Sequence, residues 1–287
     1  MKVLVTGGAG FIGSHVAEAA VEAGHEVMVV DDLSTGLTSN VPPGADFHPV
    51  DICNREAFRE LALHFEPDAI SHQAAQASVS VSVREPVLDA KVNVLGSIHV
   101  AEIAIECGSR LVFASTGGAL YGEVAEGELA GEDWPAKPLS PYACSKASFE
   151  HYLRALGQTA GLRYTTLRYA NVYGPRQNPH GEAGVVAIFL QRLLRGQPIQ
   201  VNARSVAGDD GCVRDYVYVR DVVRANLAAF DGALDGRTIN IATGVPTSTR
   251  WLADRLVDLA GDSAVVNDGP FRAGDLERSV LDPAVMV

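Results

Sequence analysis

The segment Thr6-Gly-Gly-Ala-Gly-Phe-Ile-Gly13 lies between an apolar run at 2–6 and a helical pattern at 14–23 that Gly24 closes. A second apolar run at 25–30 ends at Asp31. Strand, glycine turn, helix and strand within about 30 residues is the unit of a parallel βαβ crossover, which few other folds can use. Gly7, Gly10 and Gly13 carry no Cβ, so the chain can turn tightly and a pyrophosphate can approach the free amides of the helix N-terminus. A packing turn with no ligand is the alternative reading of the same glycines.

The alternation continues. Strands are expected at 47–50, 69–72, 110–115 and 164–169, and helices at 55–65 behind an Asn54 cap, at 89–107 and at 141–161. That order predicts an α/β fold, a doubly wound, Rossmann-like parallel sheet with helices on both faces. After Tyr173-Gly-Pro-Arg176 the texture changes to a polar loop at 177–183, a helix near 184–195, and short strands at 199–203 and 213–219. We expect 1–174 to form the dinucleotide-binding domain. Residues 175–287 should form mainly a smaller C-terminal substrate lobe, with 237–241 a candidate to return to the main sheet.

A chain of 287 residues with 47% hydrophobic content can bury a large core. Its formal charge of −12 argues against nucleic acid and against an anionic membrane surface as partners. No apolar run approaches the roughly 20 residues of a membrane span. The start runs directly into a strand and reads as mature structure. Cys53, Cys107, Cys144 and Cys212 show neither Cys-x-x-Cys spacing nor histidine partners, which predicts a reducing, cytoplasmic setting and no structural metal.

Asp31 lies at the end of the second strand, where a carboxylate can accept hydrogen bonds from an adenosine ribose, and Asp32 adds a second charge. No Lys or Arg occurs between Lys2 and Arg55 to meet a 2′-phosphate, so NAD is favoured over NADP. Asp51 and Ile52 could flank the adenine; the alternative for Asp51 is the start of a turn. Further on, Tyr142 and Lys146 are four residues apart on one helix face. A phenol ordinarily titrates near pH 10, and an adjacent ammonium favours its phenolate, giving a base able to take a proton from an alcohol.

These motifs resemble the extended short-chain dehydrogenase family, and more narrowly its UDP-glucose 4-epimerase group. The likeness also rests on Asp31-Asp-Leu-Ser-Thr-Gly36, His72-Gln-Ala-Ala-Gln76, Val92-Asn93 and Ala114-Ser-Thr-Gly-Gly-Ala-Leu-Tyr-Gly122. Leu167-Arg-Tyr-Ala-Asn-Val-Tyr-Gly-Pro-Arg176, Val213-Arg-Asp-Tyr-Val-Tyr-Val-Arg-Asp221 and Arg272-Ala-Gly-Asp275 complete the series.

The resemblance implies that Thr116, Tyr142 and Lys146 are catalytic. It implies that Gly7, Gly10, Phe11, Ile12, Gly13, Gln73, Ala74, Ala75, Gln76, Asn93 and Tyr169 join Asp31, Asp32, Asp51 and Ile52 around NAD, with Tyr142 and Lys146 near the nicotinamide. Asn171, Val186, Asn202, Arg214 and Arg272, with Thr116, would hold a UDP-sugar. For Thr116 the alternative is a turn hydroxyl bonded to nearby backbone; for Arg214, next to Asp215, it is a surface ion pair.

Where dehydratases of this family carry an acid after the catalytic Ser/Thr, this chain has Gly117-Gly118. Oxidation and reduction at sugar carbon 4 through a 4-keto intermediate is then implied. Ser279 falls where the family has either a bulky Tyr or a small residue, which implies room for an N-acetyl group. A homodimer through helices 89–107 and 141–161 is also implied. The rival expectations are a nucleotide-sugar reductase that consumes free NAD(P)H and a non-catalytic NAD-sensing protein.

Overall fold

Successive residues of a strand point to opposite faces, so a strand apolar at every position must be covered on both sides. Val3 and Val5, with Val27, Val29, Val112 and Leu167, face one buried layer. Leu4, Met28, Val30, Ile70, Leu111 and Phe113 face the other. This is a computed structural model, and it describes residues 1–179, 184–261, 264–271 and 276–284.

The first elements are β1 (Lys2–Thr6), α1 (Phe11–Glu22), β2 (Glu26–Val30), β3 (Ala45–His48), α2 (Arg55–Phe65) and β4 (Ala69–His72). Then come α3 (Val79–Arg84), α4 (Pro86–Ala90), α5 (Ser97–Cys107), β5 (Arg110–Thr116), α6 (Pro141–Ala160) and β6 (Tyr164–Tyr169). A further stretch holds β7 (Asn171–Tyr173), α7 (Val185–Leu194), β8 (Ile199–Asn202), β9 (Val213–Arg214), β10 (Tyr216–Tyr218) and α8 (Val219–Ala229). The last are β11 (Thr238–Ile241), β12 (Thr247–Ser248), α9 (Thr249–Ala260), β13 (Val266–Gly269) and β14 (Arg278–Ser279).

Seven strands form one parallel sheet in the order β11-β6-β5-β4-β1-β2-β3. The order reverses between β1 and β4, the switch point outside whose strand C-termini sheets of this kind bind ligands. Helix α8 packs beside α1 on one face, while α2, α5 and α6 cover the other. A separate apolar cluster of Phe189, Leu193, Ile199, Val201 and Ala253 joins α7, β8 and α9. Strand β13 lies parallel to β8 there.

Several elements differ from the sequence expectation. The third strand occupies Ala45–His48 rather than 47–50, because Pro49 has no amide to donate to a ladder. The run 213–219 breaks into β9 and β10, which belong to different sheets. Asp215 makes the break: its buried carboxylate accepts from Thr243 N, Thr243 Oγ1 and Gly244 N at 2.9, 2.7 and 2.8 Å. The long helix at 89–107 begins earlier, at Pro86, and is interrupted by a π-helical turn at Lys91–Gly96. Helices α3, α8 and α9 have no counterpart in the expected order.

Candidate functional site

The loop after β1 is built to bring backbone close to backbone. Gly7 has φ of +68°, and a Cβ there would lie 2.6 Å from Ala74 N. A Cβ on Gly13 would lie 2.1 Å from the Gly7 carbonyl oxygen. Gly10 caps α1 with no side-chain bond, so no protein side chain covers the first amides of that helix from the cap position. Phe11 is buried in the core and Ile12 packs against it.

Asp31, at the end of β2, accepts from Ala9 N at 3.0 Å and Leu33 N at 2.8 Å. Burial pushes its carboxyl above the ordinary range, against the pull of those amides. Asp32 is exposed and accepts from Ser34 N and Oγ. Asp51 accepts from Cys53 N at 2.8 Å and so forms a turn, while Ile52 is buried in the core. No described cation pairs with Asp31 or Asp32.

The 73–76 loop after β4 is tied down at several points. Gln73 turns inward, donating to Asn226 Oδ1 at 2.9 Å and Ser71 Oγ at 3.0 Å. Tyr169 joins that cluster by accepting from Asn226 Nδ2 at 2.8 Å, and burial pushes its phenol up to about 12. Gln76 N donates to Asn93 Oδ1 and Asn93 Nδ2 to Gln76 O, both at 2.9 Å. Ala74 N donates to Thr6 Oγ1 at 3.3 Å, and Thr6 Oγ1 lies 2.8 Å from His72 Nδ1. Ser97 Oγ uses its one proton on Asn93 O at 2.8 Å, so it must accept from His72 Nε2, 2.9 Å away. His72 therefore carries its proton on Nε2 and accepts from Thr6. Ala75 lies in the same loop, half-buried.

Helix α6 starts at a Ser140 cap, whose hydroxyl accepts from Ala143 N, and has Pro141 in its first turn. Tyr142 and Lys146 follow on one face. Lys146 is 3% exposed and donates to Ala114 O at 2.9 Å. Its Nζ sits 4.8 Å from the Phe113 ring centroid and 5.9 Å from that of Tyr142. Burial pushes its ammonium down to about 8, while Asp89 and Glu150 pull it up. Thr116 ends β5, 9% exposed. No described residue hydrogen-bonds its hydroxyl, which removes the turn-hydroxyl alternative among the described residues. The following Gly117 and Gly118 both donate their amides to Tyr169 O.

The substrate-side residues gather only in part. Asn171 N and Nδ2 donate to Asp215 O at 2.9 and 3.2 Å. Arg214 makes no ion pair with Asp215. Its guanidinium donates to the carbonyls of Val213 at 2.9 Å and Leu276 at 2.6 Å, leaving its charge uncompensated by any described carboxylate. Ser279 stands opposite Arg214 across β9 and β14, is buried, and donates to Gly118 O at 3.0 Å. Val186 is buried in the first turn of α7. Asn202 Oδ1 accepts from Gln200 Nε2 at 2.9 Å at the end of β8. Arg272 lies outside the described residues.

Sequence reasoning missed the polar network behind these groups. Asp89, Ser97, Ser145, Glu150 and Asn226 all take part. The spacing of four between Asp89 and Asn93 and between Lys146 and Glu150 was the available signal.

A parallel sheet with a glycine turn at its switch point, an acid closing β2 and, on α6, a buried lysine beside a tyrosine and bonded to β5 together define a dinucleotide-dependent α/β protein. The model of the NAD dependent epimerase/dehydratase family matches residues 3–242, and the chain belongs to that family. A UDP-glucose 4-epimerase of Mycolicibacterium smegmatis is 42% identical, over 98% of this chain and 90% of its own length. The crystal structure of the Thermus thermophilus UDP-glucose 4-epimerase complex with NAD matches at 54% identity and a TM-score of 0.95, covering 100% of this chain and 92% of that one. That of the Thermotoga maritima UDP-glucose 4-epimerase with UDP-glucose matches at 46% identity and 0.93, covering 99% and 91%.

Proposed function

We propose that the chain is an NAD-dependent isomerase that inverts carbon 4 of a UDP-hexose, interconverting UDP-glucose and UDP-galactose. The observation that carries this reading is the buried Lys146 ammonium facing the Tyr142 ring and bonded to Ala114 O on β5. Gly7 and Gly13 let the loop fold tightly against Ala74 and the Gly7 carbonyl, Gly10 leaves the first amides of α1 without a side-chain cap, and Asp31 stands where an adenosine ribose would reach it. The group fits these residues. NAD, when bound, supplies a reversible hydride acceptor at the sugar carbon.

In the reaction we propose, Tyr142 as phenolate takes the proton of the sugar 4-hydroxyl, and Lys146 stabilises that phenolate by its charge. Thr116 donates to or accepts from the same sugar oxygen. Arg214, whose guanidinium spends no donor on a described carboxylate, suits the diphosphate, and its planar fork matches phosphate oxygens. Asn171, Val186, Asn202 and Arg272 belong to the same proposed sugar-nucleotide site. Tight contacts to UDP and few to the hexose let the 4-keto sugar turn while tethered. Tyr142 then returns the proton to the sugar oxygen, while carbon 4, now presenting its other face, would take back the hydride that bound NAD holds.

Elimination is disfavoured on this reading. Gly117 and Gly118, which follow Thr116, carry no acid to protonate a leaving hydroxyl.

Purified protein incubated with UDP-galactose and no added cofactor should form UDP-glucose over many turnovers. The Tyr142→Phe variant should lose about 10²–10⁴ of that rate while still binding UDP. Stoichiometric consumption of added NAD(P)H, with no product in its absence, would instead make the chain a nucleotide-sugar reductase. Two further readings belong here. A homodimer is supported by the exposed apolar side chains of Val83, Val87, Leu95 and Tyr152 on α3, α4, the π-helical turn and α6. A cytoplasmic setting is supported by four cysteines that form no disulfide.

A further inference from the structure

Asp89 has no exposed surface, and no step of the proposed reaction uses it. Its Oδ1 accepts from Gln76 Nε2 at 3.0 Å and Asn93 Nδ2 at 2.9 Å, and its Oδ2 from Ser145 Oγ at 2.6 Å. The three donors come from three different elements: the 73–76 loop, the π-helical turn and α6. All are neutral. A buried carboxylate held only by neutral donors is costly unless an opposite charge lies near.

That charge is on Lys146, the residue after Ser145. Among the described residues, four titratable groups act on this ammonium. From its own helix come Tyr142 and Glu150, from β4 comes His72, and from α4 comes Asp89. Burial keeps His72 neutral. Glu150 is already neutralised: Arg168 donates to both of its oxygens, at 3.0 and 2.6 Å, and Ser115 Oγ to one, at 2.5 Å. Of the two carboxylates that act on the ammonium, only Asp89 has no guanidinium of its own.

We propose that Asp89 is a positioning residue for the epimerase reaction read above: its charge keeps Lys146 protonated, and its bonds to Ser145 and Gln76 hold α6 and the Gln76 turn in register. A buried ammonium loses its proton easily, and a neutral lysine would no longer favour the Tyr142 phenolate. The opposing effects of burial and of the Asp89 charge on Lys146 agree with this assignment. So does the geometry, since the donors to one carboxylate are the residue adjacent to Lys146 and two residues of the proposed NAD site.

The chain has lysine only at positions 2, 91, 137 and 146, so ¹³C labelling of the lysine ε-carbon gives few signals, and Lys146→Met assigns the buried one. In the NAD-loaded protein, Asp89→Asn should lower the titration midpoint of Lys146 by about one pH unit. The alkaline limb of kcat should move down with it. Asp89→Glu, which keeps the charge, should restore both. Ser145→Ala should leave the midpoint in place but lower kcat several-fold across all pH. A folded Asp89→Asn protein with an unmoved Lys146 midpoint would overturn the proposal. Should Asp89→Asn not fold, a Ser145→Ala protein with wild-type kcat would overturn it instead. Absence of cofactor-free epimerisation in the wild type would sink the reaction reading alone, because the lysine titration judges Asp89 without reference to activity.

Discussion

His72 offers a measurement of how strongly the fold rejects a proton. The imidazole is wholly buried between the Phe113 and Phe149 rings and bonded at both nitrogens. Burial, and then the Lys146 charge, push it down to about 3. In the unfolded chain it titrates near 6.5. Between these values the unfolded state binds a proton that the native state refuses. Stability is therefore full above about pH 6.5 and falls as pH drops toward 3. At pH 5, about 1.5 units below the free-imidazole value, the loss is about 2 kcal/mol.

Replacing His72 by Gln keeps an acceptor for Thr6 and a donor for Ser97 but removes the titration. The variant should be less stable at pH 8, because the amide cannot match the ring's packing. Its deficit relative to wild type should shrink by about 2 kcal/mol at pH 5. In thermal unfolding that corresponds to about 3 °C for a chain of this size. Other titrating groups are common to both proteins and cancel in the comparison. A deficit that stays constant from pH 8 to pH 5 would refute a neutral, proton-excluding His72.

Three further outcomes follow from the site. Gly7→Ala forces φ of +68° on a residue with a Cβ and drives that atom into the Ala74 backbone; it should cost about 1–3 kcal/mol and weaken NAD retention, read by the nucleotide released on denaturation. Arg214→Ala should weaken UDP binding by about 10–100-fold in calorimetry, as loss of a charged hydrogen bond to phosphate would, and unchanged affinity would remove Arg214 from the diphosphate site. Ser279→Tyr cannot keep the bond to Gly118 O and adds a ring beside Arg214; turnover of UDP-N-acetylglucosamine should fall more than that of UDP-glucose, and an equal fall would argue against a size gate there.

The local pattern of the chain determined the central architecture. Glycine spacing after β1, apolar runs and helical periodicity are local signals, and they specified a parallel α/β sheet with its nucleotide loop. The pairing of Tyr142 with Lys146 was equally legible, because four residues along a helix is one turn. What lay beyond local pattern was decided by contacts between distant segments. Asp215 breaks the strand expected at 213–219 by reaching Thr243 and Gly244, and only the folded chain brings those donors to it. The alternative of an ion pair between Arg214 and its neighbour fails for the same reason: the carboxylate is already taken. Asp89 looked like an ordinary helix residue, yet it joins Gln76, Asn93 and Ser145 across up to 56 positions of sequence. Burial set the charge states of His72 and Lys146, and burial is a property of the assembled layers rather than of any one segment.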